Sequence, residues 1–100
     1  MKQYIELKGA SGAIYRYKLA EDADPRTTIA GNFIYLDAKG VVVFAGEANN
    51  LIGATARWSE AQSRHGATTM YTRLNVSGAS RAEEHTDLVT ALDPVMNRGV

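Results

Sequence analysis

Apolar and polar side chains alternate through the first part of the chain, and that period of two demands strands before any helix can form. Over residues 3–8, Tyr4, Glu6 and Lys8 alternate with Ile5 and Leu7. Gly9-Ala10-Ser11-Gly12 is a turn cluster, and Ala13 to Leu19 alternates again, with Ile14, Tyr15 and Tyr17 favouring strand. The two segments predict a hairpin. Ala20 to Thr28 is polar and acidic, contains Pro25, and reads as a loop. Gly31 to Asp37 is the next strand. Asp37-Ala38-Lys39-Gly40 is a turn in which Gly40 suits a positive φ. Val41 to Ala45 is an unbroken β-branched and aromatic run, the pattern of a central strand, and completes a second hairpin.

The rhythm then changes. Asn49 or Asn50 can cap a helix from near Leu51 to about Arg64, with His65 near its end and Gly66 as the stop. Ala67 to Val76 returns to strand, with Met70, Thr72, Leu74 and Val76 on one face and Tyr71, Arg73 and Asn75 on the other. Ser80-Arg81-Ala82-Glu83 is a capping box, and its helix runs to about Leu92, before Pro94. His85, Leu88, Val89 and Leu92 share one stripe of it. The expected fold class is α+β, in the order β-β-β-β-α-β-α.

One hundred residues suit a single domain spanning 1–100. There is no cysteine, which excludes a disulfide framework and a Cys-based zinc site. The first residues alternate instead of forming a signal-peptide core, and no run is long and apolar enough for a bilayer, so a cytoplasmic location without membrane contact is expected. Eleven basic and eleven acidic residues cancel. That balance excludes a strongly cationic nucleic-acid binder, though not a local basic face.

Three blocks occur in a telling order: Gly31-Asn32-Phe33 opening a strand, Phe44-Ala45-Gly46 followed by Asn50-Leu51, and Pro94 to Asn97 closing the last helix. Together they resemble the GIY-YIG nuclease family, in which a G-I/V-Y strand and a Y-I/V-G strand precede an N-L-x-x-R helix. A later helix there carries a Glu and ends in P-x-x-N. The resemblance covers about residues 30–97 and leaves residues 1–28 as an additional N-terminal hairpin and loop. It implies a central antiparallel sheet with flanking helices, and phosphodiester cleavage with one divalent ion.

Carried over position by position, the resemblance also implies a changed site. The family's two tyrosines fall on Phe33 and Phe44, which keep the ring and lack the hydroxyl. A phenyl ring cannot relay a proton. The cation after the second motif falls on Glu47, the helix arginine on Ala54, the tyrosine or histidine one turn later on Trp58, and the metal glutamate on His85. Asn97 alone is retained. Mg²⁺ prefers oxygen, and His85 offers nitrogen. Ala54 cannot clamp a phosphate. A Glu47 carboxylate about 4 Å from a phosphate would repel it by about 4 kcal/mol at an effective dielectric near 20.

Two readings follow. The first is a degenerate, non-catalytic GIY-YIG-like domain that binds or scaffolds. Its partner would be nucleic acid, a protein or a second copy, its binding residues Arg57, Trp58, His85 and Asn97, and it would need no cofactor or metal. The second is a divergent endonuclease or phosphodiesterase whose re-tooled site uses His85, Arg57 and Asn97, with a divalent ion. There Arg57, one turn beyond Ala54, would reach back as a phosphate clamp. Each residue also has a plainer role. His85 would be a partly buried histidine with a hydrogen-bond partner. Phe33, Phe44 and Trp58 would be core aromatics, Asn97 a tie for the last helix end, and Glu47 a loop or helix-end charge.

Overall fold

A computed structural model of the chain describes residues 2–98. Five strands form one sheet: β1 (Tyr4–Lys8), β2 (Ile14–Ala20), β3 (Gly31–Asp37), β4 (Val42–Ala48) and β5 (Ala67–Leu74). Their spatial order is β1-β2-β5-β3-β4, and every pairing is antiparallel. Two helices, α1 (Trp58–His65) and α2 (Gly78–Leu92), join short 3₁₀ segments at Glu21–Ala23, Leu51–Thr55 and Val95–Asn97. The expected α+β architecture and both hairpins are present. No helix among the described residues is long and apolar enough to cross a membrane.

Alternation puts a core on each face of the sheet. One face carries Phe33, Tyr35, Val43 and Met70 against Leu51, Ala54 and Ala61, with Trp58 at its margin. The other carries Tyr17, Ile34, Ala45 and Tyr71 against Leu88 of α2. β3 is buried from Gly31 to Leu36 because both faces are covered and both neighbours are strands. A bulge between β3 and β4 pairs Tyr35 with Phe44 and then Leu36 with Val42. Val43 is the extra residue, so Val43 and Phe44 both reach the first core.

The Asp37 turn forms as expected: the Asp37 carboxylate accepts from the Lys39 and Val41 amides, and Gly40 has φ +82°. Gly66 ends α1 at φ +70°, its amide donating to the Ala61 carbonyl.

Three elements depart from expectation. β4 is an edge strand, not a central one. Its hydrophobic run still fits, since both faces are covered, and a later segment meets its outer edge at Ala45. The helix expected over 51–64 is two pieces, Leu51–Thr55 and Trp58–His65. Asn50 does cap the first, accepting from the Ile52 amide, but Gly53 weakens helix propagation, and the Tyr35 hydroxyl takes the Ala54 carbonyl that a continuous helix would use. Finally, α2 begins at Gly78, with Ser77 as its cap accepting from the Ser80 amide at 3.3 Å. Ser80 lies inside the helix, where its hydroxyl accepts from Asn75.

Candidate functional site

The residues singled out by sequence gather around β4 in two groups. The first is aromatic. Phe33 and Phe44 stand on neighbouring strands with ring centroids 5.8 Å apart. Tyr35, one pleat beyond Phe33, lies 5.6 Å from Phe33 and 5.3 Å from Phe44. It also meets the Trp58 ring edge-on at 5.0 Å. Tyr35 is the hub of the cluster and was not among the expected site residues, although its period-two spacing from Phe33 places it on the same face. Its hydroxyl donates to the Ala54 carbonyl, and burial pushes its pKa up to about 12. Ala54 itself is fully buried beneath this cluster.

Both motif glycines owe their identity to this packing. A Cβ on Gly46 would lie 2.8 Å from Phe33 Cε1 and collide with the ring tip. On Gly31 it would strike the Arg73 carbonyl and sit 2.8 Å from Leu51 Cδ1. Each marks a close approach.

The second group is polar and lies on the outer edge of β4. The Asn97 carboxamide pairs with Ala45 like a short strand. Its Oδ1 accepts from the Ala45 amide at 2.8 Å, and its Nδ2 donates to the Ala45 carbonyl at 2.8 Å. His85 Nε2 lies 3.1 Å from that same carbonyl oxygen. A carbonyl only accepts, so Nε2 carries the proton. Both lone pairs of one peptide oxygen are thereby engaged. Phe44 bridges the groups: the Arg57 guanidinium lies 5.1 Å above its ring.

Arg57 does not reach back towards Ala54. With the helix interrupted before Trp58, its guanidinium grips the Glu60 carboxylate with both oxygens at 2.9 Å from Nη2 and points Nη1 at the Met96 carbonyl, 3.4 Å away. Glu47 is exposed and paired at 3.7 Å with Arg81 Nε, which has no hydrogen-bond partner among the described residues. The rest of the Arg81 guanidinium donates to the Asn75 and Val76 carbonyls and to Asn49. The buried Glu84 carboxylate accepts from the Tyr17 hydroxyl at 2.6 Å and from Arg73 Nε at 2.9 Å. The alternation of a single strand could not reveal this network, because it spans β2, β5 and α2.

The divalent ion implied by the resemblance finds a poor seat. Among the described residues no three of His, Cys, Asp and Glu stand close enough to hold one. His85 spends Nε2 on Ala45, and the neighbouring Glu84 is aimed into the Tyr17–Arg73 network. The donor set does not suit a hard cation. Open space lies elsewhere. A cleft of about 900 Å³ is lined by Ile5, Leu7, Leu36 and Tyr71 among others, and one of about 510 Å³ touches Trp58 and Gln62.

No family model matches the chain, and no curated protein matches it in sequence. Solved structures do. Two are of the GIY-YIG N-terminal endonuclease domain of UvrC from Thermotoga maritima, each a tyrosine-to-phenylalanine point mutant bound to its catalytic divalent cation. One superposes with a TM-score of 0.63 at 18% identity, the other with 0.64 at 16%. Each match covers 79% of this chain and 93% of the other. The strand order, the helix on each face and this likeness together give the chain the GIY-YIG domain fold, in a sequence far diverged from those two domains.

Proposed function

We propose that this is a GIY-YIG-fold domain that binds nucleic acid without cleaving it. The observation that carries the reading is the engagement of the Ala45 carbonyl by both His85 and Asn97. The polar side chains that the resemblance puts at a reaction centre are spent on holding the edge of β4. Arg57 is neutralised by Glu60 in the same way. Phe33 and Phe44 bring no hydroxyl, and Ala54 sits in the core. What supports binding is the pair of half-buried rings, Phe44 and Trp58, with the Glu60-paired Arg57 guanidinium 5.1 Å from the Phe44 ring, a set suited to stacking on exposed bases.

The competing reading is an endonuclease or phosphodiesterase using His85, Arg57 and Asn97. It draws support from His85 Nδ1, which the Ala45 contact leaves uncommitted. Purified protein incubated with Mg²⁺ or Mn²⁺ and single- and double-stranded DNA and RNA separates the two. The expected result is intact substrate, with fluorescence anisotropy reporting binding that weakens as salt rises and weakens further in Trp58→Ala. Divalent-dependent cleavage that disappears in His85→Ala would establish the enzyme instead.

A further inference from the structure

The two edges of the sheet are treated very differently. The outer edge of β4 is occupied at Ala45 by the Asn97 carboxamide. Among the described residues β1 pairs only with β2. Its register assigns its backbone groups. The Leu19 amide donates to the Gln3 carbonyl, and Gly9 donates to Ala13 at the far end. Odd-numbered residues of β1 therefore turn their N–H and C=O towards β2. Those of Tyr4, Glu6 and Lys8 point outward, and no hydrogen bond to them comes from any described residue outside β1 and β2. Among the described residues β1 has no proline, no bulge and no covering segment; what guards this edge is its shortness and the charges of Glu6 and Lys8, which repel most partners and admit one that complements them.

We propose that this edge pairs with a second copy of the chain, β1 against β1, antiparallel about a two-fold axis through Leu7. Charge selects that register. Centring the axis on Leu7 sets Glu6 opposite the second copy's Lys8, and Lys8 opposite its Glu6. The outward-facing backbone groups of those residues then exchange both hydrogen bonds of each pair. Leu7 meets its own copy on the face that already carries the α2 core. Centring on Glu6 would oppose two carboxylates, and centring on Ile5 would oppose Lys8 to Lys2. The occupant is thus a second copy, because Glu6 and Lys8 complement themselves in one symmetric register. A five-residue strand offers less than the roughly 1,200 Å² of a standard interface, so the dimer is concentration-dependent. This inference is independent of the nucleic-acid reading.

Sedimentation velocity from roughly 10 μM to 1 mM protein tests it, a range suited to a contact of this size. The wild-type chain moves from monomer to dimer with concentration. Lys8→Glu, and separately Glu6→Lys, each raise the dimer dissociation constant about tenfold or more, with an unchanged circular dichroism spectrum. An equimolar mixture of the two variants associates again, since each now presents the charge the other lacks. A wild-type chain that stays monomeric overturns the proposal. So does a dimer indifferent to Lys8→Glu, or a mixture that fails to associate.

Discussion

The Ala45 amide is held from outside the sheet by Asn97 Oδ1, and its carbonyl by Asn97 Nδ2 together with His85, so Asn97 carries a stability role out of proportion to its half-buried position. Asn97→Ala strips the Ala45 amide of its acceptor and leaves the carbonyl with His85 alone. Its expected cost is about 1–3 kcal/mol, measured by urea unfolding. Gly46 makes a second residue-scale test. Gly46→Ala pushes a methyl group into the Phe33 ring and is expected to cost about 1–3 kcal/mol. Phe33→Leu in the same chain should recover part of that loss, because the clash is with the ring tip and not with backbone. Neither effect was legible in the bare motif. The Gly31 and Gly46 positions could be read, but the neighbour each one admits could not.

At the scale of elements, alternation identified β1, β2 and β5, and the unbroken β-branched and aromatic run identified β4, because each strand packs at least one face against a core. What failed were features decided by a partner distant in sequence. The break after Thr55 accompanies the Tyr35 hydroxyl on the Ala54 carbonyl, and the outer edge of β4 is met at Ala45 by Asn97, fifty-two residues further on. The start of α2 was misplaced because Ser80-Arg81-Ala82-Glu83 has the composition of a capping box, whereas Ser77 accepts the Ser80 amide and the Arg81 side chain holds the Asn75 and Val76 carbonyls. Substitution discriminates the two serines: Ser77→Ala should cost about 1 kcal/mol and Ser80→Ala a few tenths, by thermal or urea unfolding. The hairpin of β1 and β2 is joined to α2 by two phenol–carboxylate bonds, Tyr15 to Asp87 at 2.7 Å and Tyr17 to Glu84 at 2.6 Å. Tyr17→Phe leaves a buried carboxylate short of a donor and should cost about 1–3 kcal/mol in the same unfolding measurement.

Across the whole molecule these bonds make stability depend on pH. Hydrogen bonds from Ser11 and Tyr15 hold the Asp87 carboxyl below its ordinary value. A depressed carboxylate contributes stability above its unfolded pKa and loses it as pH falls through the folded one, so the hairpin–α2 contact weakens on the acid side. Asp87→Asn should flatten that limb of a stability–pH curve. The phenols act in the opposite sense. Tyr15 is raised to about 12, chiefly by its bond to Asp87, and burial raises Tyr35 to about 12 as well. Their contribution is complete below the ordinary tyrosine pKa of about 10 and is lost as pH rises through the folded values. Tyrosine absorbance and unfolding measured together should therefore show ionisation lagging until the fold gives way.

The doubly engaged Ala45 oxygen also makes a carboxylate hard to introduce at position 85. His85→Glu would set oxygen lone pairs against the carbonyl that His85 now serves, and the new side chain would have to swing away into solvent. Adding hydroxyls first, by Phe33→Tyr or Phe44→Tyr, leaves that obstacle standing. The order of mutations then matters more than their number: position 85 becomes permissive only after another donor has taken over its half of the Ala45 oxygen. Such dependence of one substitution on an earlier one is epistasis with a named atom at its centre.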